Sequence, residues 1–264
     1  MKIRADVLLH MKGLAASREK SQALIMAGKV FSGDRRIQKA SEQFDEETPL
    51  TVRDDDMFAS RGGYKLEKAL GYFGVDPSGL TAIDIGAASG GFTDVLLRAG
   101  AAHVYAVDVG YGQLDWRLRN DDRVTVMERT NARYLKPEDF PVRPTLAVMD
   151  VSFISVKLIL PAVTGIIGRE GQIVSLIKPQ FEAGKGLVGK HGVVREESTH
   201  TDVLSEVEAF VDSISWRVSG FTYSPIKGPA GNIEFLAHIV AGEGPRLDRD
   251  FMRSLVREAH EALK

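Results

Sequence analysis

The sequence predicts an α/β fold, with a mainly parallel seven-stranded sheet, an antiparallel edge hairpin and a small N-terminal α+β domain. After residue 80, short apolar runs without alternation are separated by helical patterns, as is typical of parallel strands buried on both faces. The last two strand-like segments, 216–225 and 233–240, are joined by a short Gly/Pro stretch, which favours a hairpin. An acidic stretch separates these elements from a basic N-terminal segment.

The N-terminal domain, together with its linker, is predicted to span residues 1–59. Apolar residues recur at helical spacing in this part of the chain, and Ser17 and Gly28 are residue types expected at a helix start and a helix stop. Turn-forming residues then separate short β-prone runs. The predicted elements are helices at 6–15 and within 17–30, strands on either side of a Ser32-Gly33-Asp34 turn in 30–38, a strand at 49–53 and a linker at 54–63.

The second domain is predicted to span residues 60–264. Its strands and helices alternate as in a doubly wound sheet, until the hairpin and a final helix complete the pattern. Strands are predicted at 81–87, 103–109, 124–130, 145–153, 172–179, 216–225 and 233–240, and helices at 64–73, from about Gly91, at 156–167, 195–214 and 248–263.

Composition excludes several classes of protein. The 264 residues contain no cysteine, which excludes disulfides and thiolate metal sites. No apolar run approaches the roughly 20 residues that span a bilayer, and the charged start lacks the apolar core of a signal peptide. His191 has no correctly spaced metal-ligand partner. We therefore expect a cytoplasmic protein without a metal site or a membrane partner.

Charge is unevenly distributed although the net charge is only −2. Residues 1–41 carry nine Lys/Arg against three acids, whereas residues 42–56 carry seven acids and one arginine. The basic segment indicates either a nucleic-acid partner or a solvated surface that the next segment neutralises. The candidate RNA-binding residues are Arg4, Arg18, Lys20, Lys29, Arg35 and Arg36, with Arg61 and Lys185 in the second domain.

The loop after the first strand of the second domain, Asp84-Ile85-Gly86-Ala87-Ala88-Ser89-Gly90-Gly91, has the features of a ligand site. Its glycines lack the G-x-G-x-x-G spacing of a nicotinamide dehydrogenase, and no Lys-Ser/Thr follows as in a phosphate loop. Asp84 suits an amine, and Asp108 ends the next strand where ribose hydroxyls are bound. The pattern indicates S-adenosylmethionine, with an ordinary capped turn as the alternative. The candidate cofactor residues are Asp84, Gly86, Ser89, Gly90, Gly91, Asp108 and Asn131, the last equally explained as a turn residue.

Six segments carry a resemblance to a known family: RGGYKLEKAL, DIGAASGGFTDVLL, YAVDVGYGQLDWRLRND, DVSFIS, IKPQFEAGKG and KGPAGNIEFL. They resemble the TlyA family, called hemolysin A in older naming, over nearly the whole chain. The resemblance implies a ribosomal RNA 2′-O-methyltransferase acting on cytidines, with a Rossmann-like, FtsJ-like domain that uses S-adenosylmethionine. It implies ribosomal RNA or ribosomal subunits as partners. The first 55 or so residues resemble an RNA-binding domain named after a ribosomal small-subunit protein, although SGDRR stands where such domains often have a V-N-G turn.

By motif, the resemblance places a Lys-Asp-Lys-Glu catalytic tetrad on Lys65, Asp150, Lys178 and Glu234. These residue types suit the chemistry, because a ribose hydroxyl is a poor nucleophile that must be held while its proton leaves or its developing charge is stabilised. Lys178 is either a base or a cation that guides the hydroxyl, and the sequence leaves both roles open. Each residue alone is also explained by an exposed helix, a turn or a strand end.

Two other functions remain as alternatives. A membrane-active hemolysin would need an inserting amphipathic or apolar segment, and the sequence contains none. An RNA-binding ribosome-assembly factor with an inactive methyltransferase domain would not need the tetrad. The glycine-rich loop 184–192, which carries Lys185, Lys190 and His191, is predicted either to close over RNA or to be a solvated loop.

Overall fold

A computed structural model describes residues 2–33, 35–52 and 57–264, and the chain forms two compact units, Met1–Met57 and Phe58–Lys264. Three parts of the predicted elements lie outside the described residues: the turn residue Asp34, the strand end at Arg53 and the linker residues 54–56. Each unit has its own hydrophobic core.

The N-terminal unit packs two helices against short strands. The hydroxyl of Ser17 accepts a hydrogen bond from Lys20 N at 3.2 Å and so caps the second helix, as predicted. The core contains Leu8, Leu9 and Ile25, all of which are fully buried. The helices are α1 (Ala5–Met11) and α2 (Arg18–Met26), and the strands are β1 (Lys2–Arg4), β2 (Val30–Ser32), β3 (Arg35–Arg36), β4 (Gln43–Asp45) and β5 (Thr51–Val52).

These strands form two small sheets. β2 pairs with both β3 and β5, which confirms the predicted strands on either side of the turn. β1 pairs antiparallel with β4, a pairing that the sequence did not predict. Each of these strands has only three residues, too few to show an alternating pattern.

The larger unit is built on a seven-stranded sheet with strand order β11-β12-β10-β9-β6-β7-β8. Neighbouring strands from β10 to β8 run parallel, and β12 runs antiparallel to both β10 and β11. The predicted fold class is therefore confirmed. The strands are β6 (Thr81–Ile85), β7 (His103–Val107), β8 (Val124–Met127), β9 (Leu146–Met149), β10 (Gln172–Ile177), β11 (Trp216–Tyr223) and β12 (Phe235–Ala241).

Helices cover both faces of this sheet. Ile83 and Ile85 face a core layer that includes Val163, Val207 and Val256. Ala82, the residue before Ile83, faces the opposite layer, with residues of other helices. The helices are α3 (Gly63–Phe73), α4 (Gly91–Arg98), α5 (Trp116–Arg119), α6 (Leu160–Ile167), α7 (Pro179–Glu182), α8 (Glu197–Ser213) and α9 (Arg249–Ala262).

The helix predicted at 156–167 is interrupted. Residues Val156–Leu158 form a 3-10 turn, and α6 begins only at Leu160, with Pro161 in its first turn. Proline lacks a backbone N–H and is tolerated only where a helix starts, so it fixes the boundary there. Within the described residues, no helix is long and apolar enough to cross a bilayer.

Candidate active site

Three strands bring predicted catalytic residues to one edge of the sheet. β9 and β10 are parallel neighbours, and Asp150 and Lys178 follow their last residues. β12 runs in the opposite direction with Phe235 paired to Ile177, so Glu234 reaches the same edge. This edge is where ligands bind in open α/β sheets.

The predicted tetrad forms a continuous chain of alternating charges. Lys65, in the first turn of α3, donates a hydrogen bond from Nζ to Glu234 Oε2 at 2.6 Å. The same Nζ lies 3.9 Å from Asp150 Oδ2. Lys178 Nζ lies 2.6 Å from Asp150 Oδ1. Lys65, Lys178 and Glu234 are buried, and buried ammonium groups are expected to be paired in this way.

A cavity of about 320 Å³ opens onto this chain of charges. Lys65, Asp150 and Lys178 line it, whereas Glu234 lies behind Lys65. Two further cations, the predicted Arg61 and the unpredicted Lys227, also line it. The cavity thus combines the predicted reactive groups with positive charge suited to a phosphate backbone.

A second cavity of about 410 Å³ adjoins the first, and its walls include Gly86, Asp108 and Asn131 among the predicted cofactor residues. Asp108 is fixed in place: Ala88 N donates to its Oδ2 at 2.8 Å and Gly110 N to its Oδ1 at 2.7 Å. Asn131 lines the cavity and also caps the next turn, accepting from Arg133 N at 3.1 Å. The two cavities share Gly86, Ala88, Asp150 and Ser152.

Gly86 allows the ends of β6 and β9 to approach each other. Its φ is +86°, and a Cβ placed there would lie 2.6 Å from the backbone oxygen of Asp150. Gly91 lines the smaller cavity, and a Cβ at that position would collide with Ser60 Oγ. Both glycines therefore shape the cavity walls through their missing side chains.

The remaining loop residues lie elsewhere. Among the described residues, Asp84, Ser89 and Gly90 are not part of either cavity wall. Gly90 has φ +93° and packs beneath side chains of the α5 region, and Ser89 O accepts from Asp115 N at 3.2 Å. These residues shape the turn into α4, and direct contact with a ligand stays a prediction for them.

Asp84 is fully buried beneath the first turn of α4. Its Oδ2 accepts a hydrogen bond from Thr93 Oγ1 at 2.7 Å, and Oδ1 has no hydrogen-bond partner in the part of the chain that is described. The pKa of Asp84 is raised to about 7, mainly by burial and in smaller part by the carboxylates of Asp150 and Asp108, against the lowering effect of the Thr93 hydrogen bond.

The sequence analysis did not predict two residues of the site that lie beside the tetrad. Ser152 lines both cavities and accepts a hydrogen bond from Lys178 Nζ at 2.7 Å. Phe153 lines the larger cavity, is 90% exposed and has φ +63°, an unusual conformation for a bulky residue. Both lie in an irregular loop, where hydrophobic periodicity carries no signal.

In the N-terminal unit, Arg4 and Arg18 converge on the buried Asp6. Arg4 donates to both carboxylate oxygens at 3.0 and 3.1 Å, Arg18 Nε donates at 3.0 Å and Gln22 at 2.7 Å. Burial acts to raise the pKa of Asp6, but the hydrogen bonds from Arg4, Gln22 and Arg18 outweigh it and hold that pKa well below its usual range.

The other predicted RNA-binding residues differ in exposure. Lys20, Arg35 and Arg36 are exposed, and Lys29 is half-buried. Arg35 pairs with Glu42 at 2.7 Å, and the Arg36 guanidinium occupies the space that a side chain at Gly28 would need. The side chain of Lys185 lies outside what the structure describes. In that same described part, no three His, Asp or Glu side chains come together as metal ligands would.

Comparison with known proteins identifies the family. Residues 58–240 match the FtsJ-like methyltransferase family, and residues 3–48 match the S4 domain. The YqxC protein of Bacillus subtilis is 48% identical over 269 residues, covering 100% of this chain and 96% of that protein. The "16S/23S rRNA (cytidine-2'-O)-methyltransferase TlyA" of Mycobacterium tuberculosis is 46% identical over 234 residues, covering 88% of this chain and 87% of that protein.

The chain belongs to the TlyA family of FtsJ-like methyltransferases. The solved structure of a "Putative hemolysin from Streptococcus thermophilus" agrees, with a TM-score of 0.79 and 47% identity over 99% of this chain and 96% of that one. As a TlyA-family member, the protein is an S-adenosylmethionine-dependent methyltransferase.

The walls of the larger cavity fit this family's cofactor. A volume of about 410 Å³ is within the range of small-molecule sites, and the walls are largely apolar with a fixed carboxylate at Asp108. Asp108 and Asn131 lie in the same cavity wall, and binding of ribose hydroxyls by Asp108 stays a prediction. Gly86 lines both cavities, and its missing side chain lets its backbone lie close to that of Asp150.

The buried Asp84 predicts a pH-dependent stability. Because its pKa is raised in the folded state, the stabilisation is fully present below the unfolded value of 3.8 and is lost as the pH rises through about 7. Asp84→Asn removes this ionisation. We expect the Tm of the variant minus the Tm of wild type to be about 5 °C larger at pH 8 than at pH 5. A change of 1 kcal/mol in stability corresponds to roughly 2–4 °C in Tm for a domain of this size.

Differential scanning calorimetry at the two pH values measures this gain. Asp76→Asn, which removes an exposed carboxylate of the same unit, is the control. A Tm difference between Asp84→Asn and wild type that stays constant with pH would contradict the assignment.

Proposed function

We propose that this protein methylates the ribose 2′-hydroxyl of a cytidine in ribosomal RNA. The single observation that carries the proposal is the Glu234–Lys65–Asp150–Lys178 chain of charges at the junction of two cavities. The larger cavity is suited to the cofactor, and the smaller one, with its cationic rim, to a nucleotide. The 46% identity to the mycobacterial TlyA supports cytidine and ribosomal RNA as the substrate class.

Within this proposal, Lys178 is a charged guide. Its ammonium is paired with Asp150 and donates to Ser152, an arrangement that holds it in one position. From that position it orients the ribose hydroxyl and stabilises the negative charge that develops on the attacking oxygen. S-adenosylmethionine would supply the electrophilic methyl group and would leave as S-adenosylhomocysteine, while the proton of the ribose hydroxyl passes to water, because a charged Lys178 cannot accept it. Glu234 holds the Lys65 ammonium 3.9 Å from the opposite oxygen of Asp150, where its charge attracts that carboxylate, and Asp150 in turn pairs with Lys178.

We assign RNA docking to residues 1–59 and methyl transfer to residues 60–264. The match of residues 3–48 to the S4 domain and the basic side chains of the first 41 residues support the first assignment. The residues proposed to contact RNA are Arg4, Arg18, Lys20, Lys29, Arg35, Arg36, Arg61 and Lys185.

Methyl transfer to ribosomal particles tests the proposed function. Purified protein is incubated with methyl-labelled S-adenosylmethionine and with ribosomal subunits purified from a strain that lacks this methylation. Label recovered as 2′-O-methylcytidine supports the proposal. Binding of the subunits without transfer of label would instead identify an assembly factor with an inactive methyltransferase domain.

The exposed pair Arg35 and Arg36 predicts a salt-dependent contact with RNA. Replacing both by alanine should weaken RNA binding and reduce the slope of log affinity against log salt by about 1 per lost phosphate contact. Filter binding across a salt series measures the slope. Arg253→Ala, an exposed arginine on α9, is the control and should leave the slope unchanged. An unaltered slope in the double variant would remove β3 from the RNA-binding surface.

A further inference from the structure

Glu182 is a buried carboxylate beside the active site that the roles above do not use. It is the last residue of α7 and lies four residues after Lys178. Its Oε2 accepts a hydrogen bond from Ser155 Oγ at 2.6 Å, and its Oε1 accepts one from Val156 N at 2.8 Å. Both oxygens of one carboxylate therefore hold the segment that follows β9 against the segment that follows β10.

A second contact joins the same two segments. The rings of Phe153 and Phe181 lie 5.2 Å apart between centroids, and these residues neighbour the hydrogen-bonded ones in sequence. We call the set Phe153, Ser155, Val156, Phe181 and Glu182 the strand-end clamp. Glu182 and Val156 are buried and Ser155 is half-buried, so loss of the Glu182 carboxylate leaves the Val156 N–H unsatisfied.

The clamp lies directly beyond the residues of the charge chain. Asp150 and Ser152 precede Ser155 by five and three residues, and both contact the Lys178 ammonium, at 2.6 and 2.7 Å. Lys178 itself leads into α7 through Pro179. The loop has no regular secondary structure between Asp150 and Ser155, so its distance from α7 depends on side-chain contacts such as those of the clamp.

We propose that Glu182 is a positioning residue for methyl transfer, which holds Asp150 and Ser152 against Lys178 by fixing residues 151–156 onto α7. The inference rests on the proposed function. The size of the expected effect on the rate follows from geometry, because a displacement of about 1 Å in a reacting group lowers a rate on the order of 10²-fold. Glu182 touches neither cavity wall within the described residues and acts only through this loop.

A pair of substitutions tests the clamp. Glu182→Ala should lower the single-turnover rate, at saturating S-adenosylmethionine and ribosomal subunits, by about tenfold or more. Glu182→Gln should remain within about threefold of wild type, because its amide can still accept from Val156 N and bond to the Ser155 hydroxyl. A Glu182→Gln variant as slow as Glu182→Ala, or a Glu182→Ala variant as fast as wild type, would overturn the inference.

Glu208→Ala is the matched control. Glu208 on α8 is also a buried carboxylate that accepts a backbone hydrogen bond, from Leu247 N at 2.7 Å, but it is not in either cavity wall among the described residues. The single-turnover rate of the Glu208→Ala variant should equal that of wild type. An equal loss in this control would show that the effect of Glu182→Ala is general destabilisation, which also overturns the inference.

Amide hydrogen exchange supplies a readout that does not depend on activity. Residues 150–158 should exchange faster in Glu182→Ala than in wild type, and at the wild-type rate in Glu208→Ala. If the wild-type protein transfers no methyl group, the proposed function fails, and this exchange still decides whether the clamp exists. Unchanged exchange in Glu182→Ala would refute it.

Discussion

Replacing Lys178 by alanine is expected to lower the rate of methyl transfer by about 10²–10³-fold, the effect of removing one preorganised donor at a developing oxyanion. The ammonium lies 2.6 Å from Asp150 and 2.7 Å from Ser152 and lines the cavity proposed for the nucleotide. Single-turnover transfer to unmethylated ribosomal subunits measures the rate. Isothermal titration calorimetry measures the binding of S-adenosylhomocysteine and shows whether the variant remains folded.

Lys178→Arg separates the two roles that the sequence left open. A guanidinium keeps the positive charge but does not act as a base at neutral pH, so a guiding role predicts partial activity. A role as base predicts that arginine is as inactive as alanine. Lys157→Ala is the control, because Lys157 also pairs with an acid, Glu206 at 3.3 Å, but among the described residues it lines neither cavity. Full activity of Lys178→Ala would exclude either role.

Replacing Gly86 by alanine is expected to destabilise the larger unit by about 2 kcal/mol or more, which lowers Tm by roughly 4–8 °C. The added Cβ would lie 2.6 Å from Asp150 O, and φ at +86° disfavours any side chain. Because Asp150 must move, we also expect weaker binding of S-adenosylhomocysteine and slower methyl transfer. Thermal unfolding and calorimetric titration measure the two effects.

Gly74→Ala isolates the part of this loss that comes from backbone conformation. Gly74 caps α3 with φ +66°, and no heavy atom lies within 4 Å of a Cβ placed there. Its replacement should cost about 1 kcal/mol and leave cofactor binding unchanged. Equal losses in the free energy of unfolding of the two variants would mean that the close approach of a Cβ at residue 86 to Asp150 O does not contribute to the loss.

The sequence predicted the parts of the fold that repeat a pattern. Buried parallel strands such as β6 and β10 are continuous apolar runs, and the turn signals between them placed the hairpin of β11 and β12. It did not predict the pairing of β1 with β4, because three-residue strands have no measurable period. The break before α6 depends on where Pro161 falls within a helix, which an apolar pattern does not show.

The candidate site was predictable where residues end strands and only partly elsewhere. Asp150 and Lys178 follow adjacent parallel strands, so topology alone brings them together. Lys65 and Glu234 came only from the family resemblance, since 169 residues separate them. Ser152 and Glu182 act through irregular loop geometry, which no spacing rule encodes. The enclosure of Asp84 depends on how α4 packs over it, which also lies beyond sequence pattern.

The wall common to both cavities links two properties that an enzyme could otherwise adjust separately. Gly86, Ala88, Asp150 and Ser152 line both the cavity proposed for the nucleotide and the cavity proposed for the cofactor. Under the proposed function, a substitution at one of these four residues that alters which nucleoside is accepted will therefore also alter the affinity for the methyl donor. For inhibitor design, a single compound that spans both chambers gains the effective-concentration advantage of linked ligands.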